Sequence, residues 1–266
     1  MLDLSTRTDD GHPLARIDGW PINIATLADA VEQISADMHK RSAFSVVTLN
    51  LDHLVKLRSD ASFRSAYRAA KFVSADGAPV AHLARKQCTE IERTPGADLL
   101  LPLCREAADG KIGIYLFGTD RDALTRSAAK LSESTGGRLN ICGAAAPAMK
   151  FDPSGPEADA ALDAIAESGA GLCFVALGAP KQEIFAARAL DRGIKAGFIC
   201  VGAGLDFLAG RQIRAPRFMR DYGLEWLWRL SQNPRRLASR YAKCGIILID
   251  IWLFGRGPLN AGARRS

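Results

Sequence analysis

The chain has 266 residues, 48% hydrophobic and 24% charged, an ordinary globular balance that excludes disordered, collagen-like and low-complexity proteins. Six cysteines without a C-x-x-C pair and four histidines without metal-ligand spacing disfavour structural zinc and thioredoxin chemistry. The net charge of +6 is uneven: residues 1–210 carry 23 Lys and Arg against 26 Asp and Glu, whereas residues 211–266 carry 12 against 3.

Residues 1–15 start polar, show no apolar h-region and read as a loose segment. No signal peptide is therefore expected, and the cysteines are expected as reduced thiols of a cytoplasmic protein. Residues 15–24 predict a short strand or hairpin around Gly19, and 25–40 a helix with Leu27, Val31 and Ile34 on one face. Residues 44–49 predict a buried strand, followed by a helix to about residue 70. Residues 72–74 predict a strand ending in the turn Ala75-Asp76-Gly77, with a helix starting near Pro79. Residues 112–117 predict a strong strand, then Gly118-Thr-Asp and a helix over about 120–134. Further strands are predicted at 139–142, 172–177 and 196–201, with helices at 153–167 and from Gly178-Ala-Pro-Lys-Gln-Glu183 onward. Helices are expected beyond residue 218, broken near Asn233-Pro234. The alternation of strands and helices predicts a Rossmann-like α/β fold, a mostly parallel sheet covered by helices on both faces. The chain divides into a loose segment 1–15, an α/β core 16–210 and a basic, apolar-rich helical appendage 211–266.

The appendage has its own electrostatic role, because a basic segment attracts polyanions such as nucleic acid, anionic headgroups or phosphorylated substrates. Trp226, Trp228 and Trp252, with the apolar run from Cys244 to Phe254, suit an anionic membrane surface. The run is shorter than the ~20 residues needed to span a bilayer, and Asp250 interrupts it. A core helix with a solvated basic face is the other reading. No nucleic-acid-binding motif is present, so nucleic acid is not expected as a partner.

Ligands of open α/β sheets bind at the carboxyl ends of the strands. Four such ends carry polar or glycine residues: Thr48-Leu-Asn50, Ala75-Asp76-Gly77, Gly118-Thr119 and Gly178-Ala-Pro180-Lys181-Gln182-Glu183. Gly202 ends a fifth. Glycine admits a phosphate or ribose to the backbone, and a helix N-terminus adds free N–H groups. Singly, each signal is weak, because a glycine after a strand is more often just a turn residue. Neither G-x-G-x-x-G nor the P-loop signature occurs, so NAD-dependent dehydrogenases and P-loop NTPases are unsupported. Asp76 is the best candidate for chemistry, as a general base toward a hydroxyl; from spacing alone, capping of the helix near Pro79 ranks ahead of that role. Asp206 fits ribose hydroxyls or a turn cap, and Arg93 fits a phosphate or the surface. Asp120-Arg-Asp122 resembles a metal-binding D-x-D, but capping at a helix start explains it, and no metal is expected.

The motifs occur in a specific order. Thr48-x-Asn50, Ala75-Asp76-Gly77, Glu92-Arg93-x-x-Gly96-x-Asp98 and Leu116-Phe117-Gly118 are followed by Gly178-Ala-Pro-Lys-Gln-Glu183 and Val201-Gly-x-x-x-Asp206-Phe-x-x-Gly210. Arg214-Ala-Pro216, Gly223-Leu-Glu-Trp226-Leu-x-Arg229-Leu and Pro234-Arg-Arg-Leu-x-x-Arg240-Tyr241 complete the series. This series resembles the WecG/TagA/CpsF family of bacterial glycosyltransferases, from about Ile17 to Tyr241.

The resemblance implies an inverting, metal-independent transferase on the inner face of the cytoplasmic membrane. It would move a sugar from a UDP-sugar to a polyprenyl-diphosphate-linked sugar, toward teichoic acid linkage units, common antigen or exopolysaccharide. By the resemblance, Asp76 is the base, and Thr48, Asn50 and Arg93 surround the reacting sugars. Gln182 and Asp206 lie near the nucleotide, with Gly118, Gly178, Pro180, Lys181, Glu183 and Gly202 completing the nucleotide-sugar side. Arg214, Arg229, Arg235, Arg236 and Arg240 serve the diphosphate and lipid, on an appendage that folds over the site. With no metal motif, guanidinium groups must stabilise departing UDP. The resemblance is compatible with N-acetylmannosamine, its uronic acid, glucose or galactose as donor sugar, and with monomer, dimer or trimer. Two departures stand out: Gly143-Ala-Ala-Ala-Pro147, where many members have a Gly-aromatic-Phe segment, and residues 242–266, which exceed the shorter members. The alternatives are a catalytically silent nucleotide-sugar-binding or scaffold protein on the same fold, and a Rossmann-type oxidoreductase, which lacks its phosphate fingerprint.

Overall fold

The computed structural model describes residues 13–216, 218–219, 222–232 and 234–254, the side chains of Arg229, Arg236 and Phe254 excepted. Strands β1 (Ala15–Ile17) and β2 (Trp20–Ile22) form the predicted antiparallel hairpin, which turns at Gly19. Six further strands form one all-parallel sheet: β3 (Phe44–Leu49), β4 (Phe72–Ala75), β5 (Ile114–Gly118), β6 (Ile141–Ala145), β7 (Leu172–Ala176) and β8 (Gly197–Cys200). Their spatial order is β4-β3-β8-β7-β5-β6. Strands buried on both faces read as continuous apolar runs, and five of the six do so.

Side-chain alternation divides the core in two. Phe44, Val46, Leu116, Phe174 and Ile199 face α1 (Leu27–His39), α5 (Gly96–Asp109), α6 (Arg121–Ser134) and α9 (Gly204–Leu208). Val47, Leu49, Phe117, Val175 and Phe198 face α2 (Leu51–Ser59), α3 (Ala61–Ala69), α4 (Ala78–Arg85), α7 (Pro156–Glu167) and α8 (Lys181–Asp191). The loops after β3 and β8, neighbouring strands, therefore leave toward opposite faces and open a crevice at their carboxyl ends.

Three elements differ from the sequence expectation. The helix expected to run to about residue 70 is two helices, because Asp60 takes an extended backbone and caps α3, accepting from the Phe63 N–H at 2.9 Å. Strand β6 starts two residues later than expected and continues through Gly143; a Cβ there would lie 2.3 Å from the Tyr115 ring. Helix α5, to which the sequence pattern assigned no element, contains Pro102 in its interior. Its first residue, Gly96, passes so close to β8 that a Cβ would lie 2.3 Å from the Cys200 carbonyl oxygen.

The appendage carries α10 (Glu225–Gln232) and α11 (Pro234–Phe254), and Pro234 opens α11 at the expected break. Helix α11 lies along α2 and buries Cys244 and Ile247. Arg240 pairs with Asp52 of α2 at 2.7 Å, and Asp250 with Arg58 at 2.6 Å. The opposite side of α11 leaves Ile246, Ile249, Trp252 and Leu253 exposed. Among the described residues, no helix is long and apolar enough to cross a membrane.

Candidate active site

Asn50 and Asp76 stand at the carboxyl ends of the paired strands β3 and β4. Asn50 is the N-cap of α2, and its Oδ1 accepts from the His53 N–H at 3.0 Å. That bond orients the amide, so Nδ2 donates to Asp76 Oδ2 at 3.3 Å. The Asp76 N–H donates to the Leu49 carbonyl at 2.8 Å. The cap of α4 is Gly77, not Asp76, and it makes no side-chain capping bond. Capping is thus set aside for Asp76: its carboxylate meets Asn50 and lines the cleft. Gly77 has φ +81°, a conformation that turns the chain away from β4 without a Cβ penalty.

Thr48 is buried behind this pair and does not line the cleft. Its carbonyl accepts from the Tyr67 hydroxyl at 2.6 Å, which in turn lies 2.7 Å from His53 Nδ1. The tyrosine proton goes to the carbonyl, so His53 Nδ1–H donates to the hydroxyl oxygen. Burial pushes His53 down to about 3, which keeps the ring neutral. This chain braces the end of β3 below Asn50.

A cleft of about 390 Å³ opens between these strand ends and the appendage. Arg93 enters from the loop before α5, which is tied to β4 by Thr94 N–H to the Ala75 carbonyl at 2.8 Å. Arg93 Nη1 lies 3.5 Å from Glu225 Oε2 of α10. Arg240 of α11 lines the same cleft against Asp52. Burial alone would raise the Asp52 carboxyl, but Lys56 and Arg240 outweigh it and hold the group below the ordinary carboxylate value. Trp226, Tyr241, Cys244 and Leu248 form the apolar wall. The approach of the appendage depends on Gly223, at φ +72°, where a Cβ would lie 2.5 Å from Ala78 Cβ.

The predicted nucleotide-side residues lie at or just after the ends of β5, β7 and β8 and do not line this cleft. Gly118, Gly178 and Gly202 end their strands with positive φ. Pro180 precedes α8. Lys181 donates to the Phe151 carbonyl at 2.8 Å. Gln182 and Glu183 are 3% and 1% exposed, so in this conformation both point into the protein. Asp206 accepts from Thr119 Oγ1 and, at 2.9 Å, from Gln212 Nε2, which ties the end of β5 to the start of the appendage. Arg214 pairs with Asp98 at 2.5 Å and lies over the Phe207 ring, away from the cleft. Arg235 is exposed near the start of α11, and the Arg229 and Arg236 side chains lie outside the described residues. Asp120 caps α6, accepting from Ala123 N–H at 2.9 Å, and Asp122 pairs with Arg126.

Sequence reasoning missed Asp52 and Glu225 as cleft carboxylates. Asp52 lies two residues after Asn50, and Glu225 lies inside the quoted Gly-Leu-Glu-Trp block, yet neither carries a local signal of its partner arginine.

Among the described residues, the all-parallel α/β sheet and the appendage gather three carboxylates, an amide and two guanidiniums at one end of the strands, an arrangement that offers a proton acceptor and bidentate donors to a polar ligand. The model of the Glycosyl transferase WecG/TagA/CpsF family matches residues 15–257, and the chain belongs to that family. It is a glycosyltransferase of cell-surface polysaccharide biosynthesis. The match reaches past Tyr241 and takes in α11, beyond the extent of the resemblance seen in the motifs.

Proposed function

We propose that the protein transfers a sugar with inversion from a UDP-sugar to a polyprenyl-diphosphate-linked saccharide, without a metal. The observation that carries this reading is the Asn50–Asp76 pair facing Arg93 and Arg240 across one cleft. Asp76 takes the proton of the acceptor hydroxyl as that oxygen attacks the anomeric carbon. The bond from that carbon to the UDP oxygen breaks on the opposite side, and UDP leaves with the electron pair. Asn50 donates to one Asp76 oxygen and orients the other toward the acceptor. Arg93 and Arg240 offer planar, paired donors to diphosphate charge. The nucleotide lies along the ends of β5, β7 and β8, where Gly178 and Gly202 leave the backbone open, while Gly118 lets β5 pass close against the Ala176 backbone.

The exposed Ile246, Ile249, Trp252 and Leu253 on a basic appendage support peripheral attachment to the anionic cytoplasmic face of the membrane, where the lipid-linked acceptor resides.

The test is UDP release with a panel of UDP-sugars, with and without a short-chain polyprenyl-diphosphate-linked sugar. An EDTA control and Asp76→Asn run beside it. Acceptor-dependent release from one donor that survives EDTA, and that drops at least ~100-fold in the variant, is expected. Tight UDP binding without turnover on any acceptor would instead identify a silent nucleotide-sugar-binding protein.

A further inference from the structure

Glu183 lies in the first turn of α8, 1% exposed. Its Oε1 accepts from Gln182 Nε2 at 2.8 Å, while its Oε2 is buried without a hydrogen-bond partner. The Gln182 amide is held at both ends, because its Oε1 accepts from the Gly202 N–H at 3.0 Å. A buried carboxyl is thus connected through one amide to the backbone that leaves β8. We propose that Glu183 is a positioning acid for the nucleotide side of the site, setting the Gln182 amide and through it the Gly202 turn according to its own protonation.

A buried anion with one unpartnered oxygen is costly, and neutralisation places the proton on that oxygen. Burial raises the group to about 7, partly offset by the Gln182 bond. The titratable groups facing it are Lys56 and Asp52 of α2, Tyr67 of α3 and Cys200 of β8. Tyr67 and Cys200 are pushed well up by burial, and Asp52 is held low. Glu183 therefore changes charge between pH 6 and 8, where Tyr67, Cys200 and Asp52 do not. Ionisation strengthens its pull on Gln182, since hydrogen bonds to charged acceptors are the stronger ones. It also places a negative charge behind the turn that the proposed function assigns to the diphosphate-bearing donor, a step that rests on that reading.

Two measurements test this. The Gly202 amide resonance, followed by NMR in the ligand-free protein, is expected to titrate with a midpoint near 7 in wild type and to stay flat in Glu183→Gln. UDP-sugar affinity is expected to be roughly threefold to tenfold tighter at pH 6 than at pH 8, with the dependence lost in the same variant. Glu183→Leu removes the acceptor for Gln182 and is expected to lower affinity at both pH values further than Glu183→Gln does. A Gly202 resonance that does not titrate, or that titrates equally in Glu183→Gln, overturns the proposal. If the glutamine variant does not fold, direct carbon-13 titration of the wild-type Glu183 carboxyl decides, and an ordinary glutamate value overturns it. A titrating Gly202 in a protein that binds no UDP-sugar upholds the positioning link and refutes the donor reading.

Discussion

Replacing Ile247 with alanine is expected to loosen the appendage from the sheet core without unfolding the core. Ile247 and Cys244 are 3% and 6% exposed, and α11 rests on α2 through them. Burial of the Ile247 side chain contributes about 1.5–3 kcal/mol, and the smaller Cys244 adds less. The pairs Arg240–Asp52 and Asp250–Arg58 are partly exposed and add about 0–1 kcal/mol each. Truncating Ile247 removes about 2–4 kcal/mol of this, the usual large-to-small cost at a buried site. At 1.4 kcal/mol per factor of ten, the undocked population rises roughly 30- to 700-fold. Hydrogen exchange read by mass spectrometry reports it: protection in α11 falls by that factor while β3, β7 and β8 keep theirs. Turnover falls with it, because Arg240 and Glu225 leave the cleft. An equal loss of protection in sheet and appendage would refute the reasoning, since the two would then unfold as one cooperative unit.

Asn50→Asp is expected to keep the cap of α2, because aspartate caps helices as well as asparagine, but to cost about 1–2 kcal/mol at neutral pH through repulsion with Asp76 and to lower turnover about 100-fold. It places a second carboxylate against Asp76 and should move the acid limb of the pH–rate profile upward, measured by UDP release. Gly223→Val combines left-handed backbone strain of about 1–2 kcal/mol with overlap on Ala78, and is expected to raise exchange in α10 and α11 while the sheet keeps its melting temperature. Glu183→Gln is expected to change the pH dependence of stability. The folded-state value of about 7 lies above the ordinary 4.5, so the folded protein holds an extra proton between them. Wild-type stability is therefore full below about 4.5 and falls as pH rises through 7, by up to about 3 kcal/mol. The variant lacks that fall and melts higher at pH 8, as calorimetry at pH 5 and 8 would show.

The sheet was legible because its strands are short apolar runs and because glycine or asparagine ends most of them. Those residues signal both a turn and an open backbone. The helix break at Asp60 was hidden by a helical period that continues across Ser59-Asp60, although an aspartate three residues before Phe63 is a capping signature. Strand β6 was misplaced because Gly143 and its neighbouring alanines carry no strand propensity; they fit only because the Tyr115 ring fills the space above Gly143. In Pro180-Lys-Gln-Glu183 the residue types were legible but their directions were not. Successive residues in a first helical turn point about 100° apart, and packing on β8 decides which of them faces inward. Glu225 lies 132 residues from Arg93, and only tertiary docking brings them together.

The charged contacts across the cleft are crossed. Arg93 belongs to the core and rests on Glu225 of the appendage, while Arg240 belongs to the appendage and rests on Asp52 of the core. Each guanidinium thus faces a carboxylate of the other body. A diphosphate that engages both arginines would compete with Glu225 and Asp52, and would itself then bridge core and appendage. Docking of α10 and α11 and binding of the anion would then be linked through Arg93 and Arg240, and would reinforce each other where the bridging anion holds the two bodies more tightly than the ion pairs it replaces. In the proposed reaction the sheet core supplies Asp76, Asn50 and Arg93 to the cleft, the first two being the groups assigned to the acceptor hydroxyl and its proton. Arg240, the second guanidinium among the described cleft residues and a partner of the diphosphate in the proposed reaction, comes with the appendage.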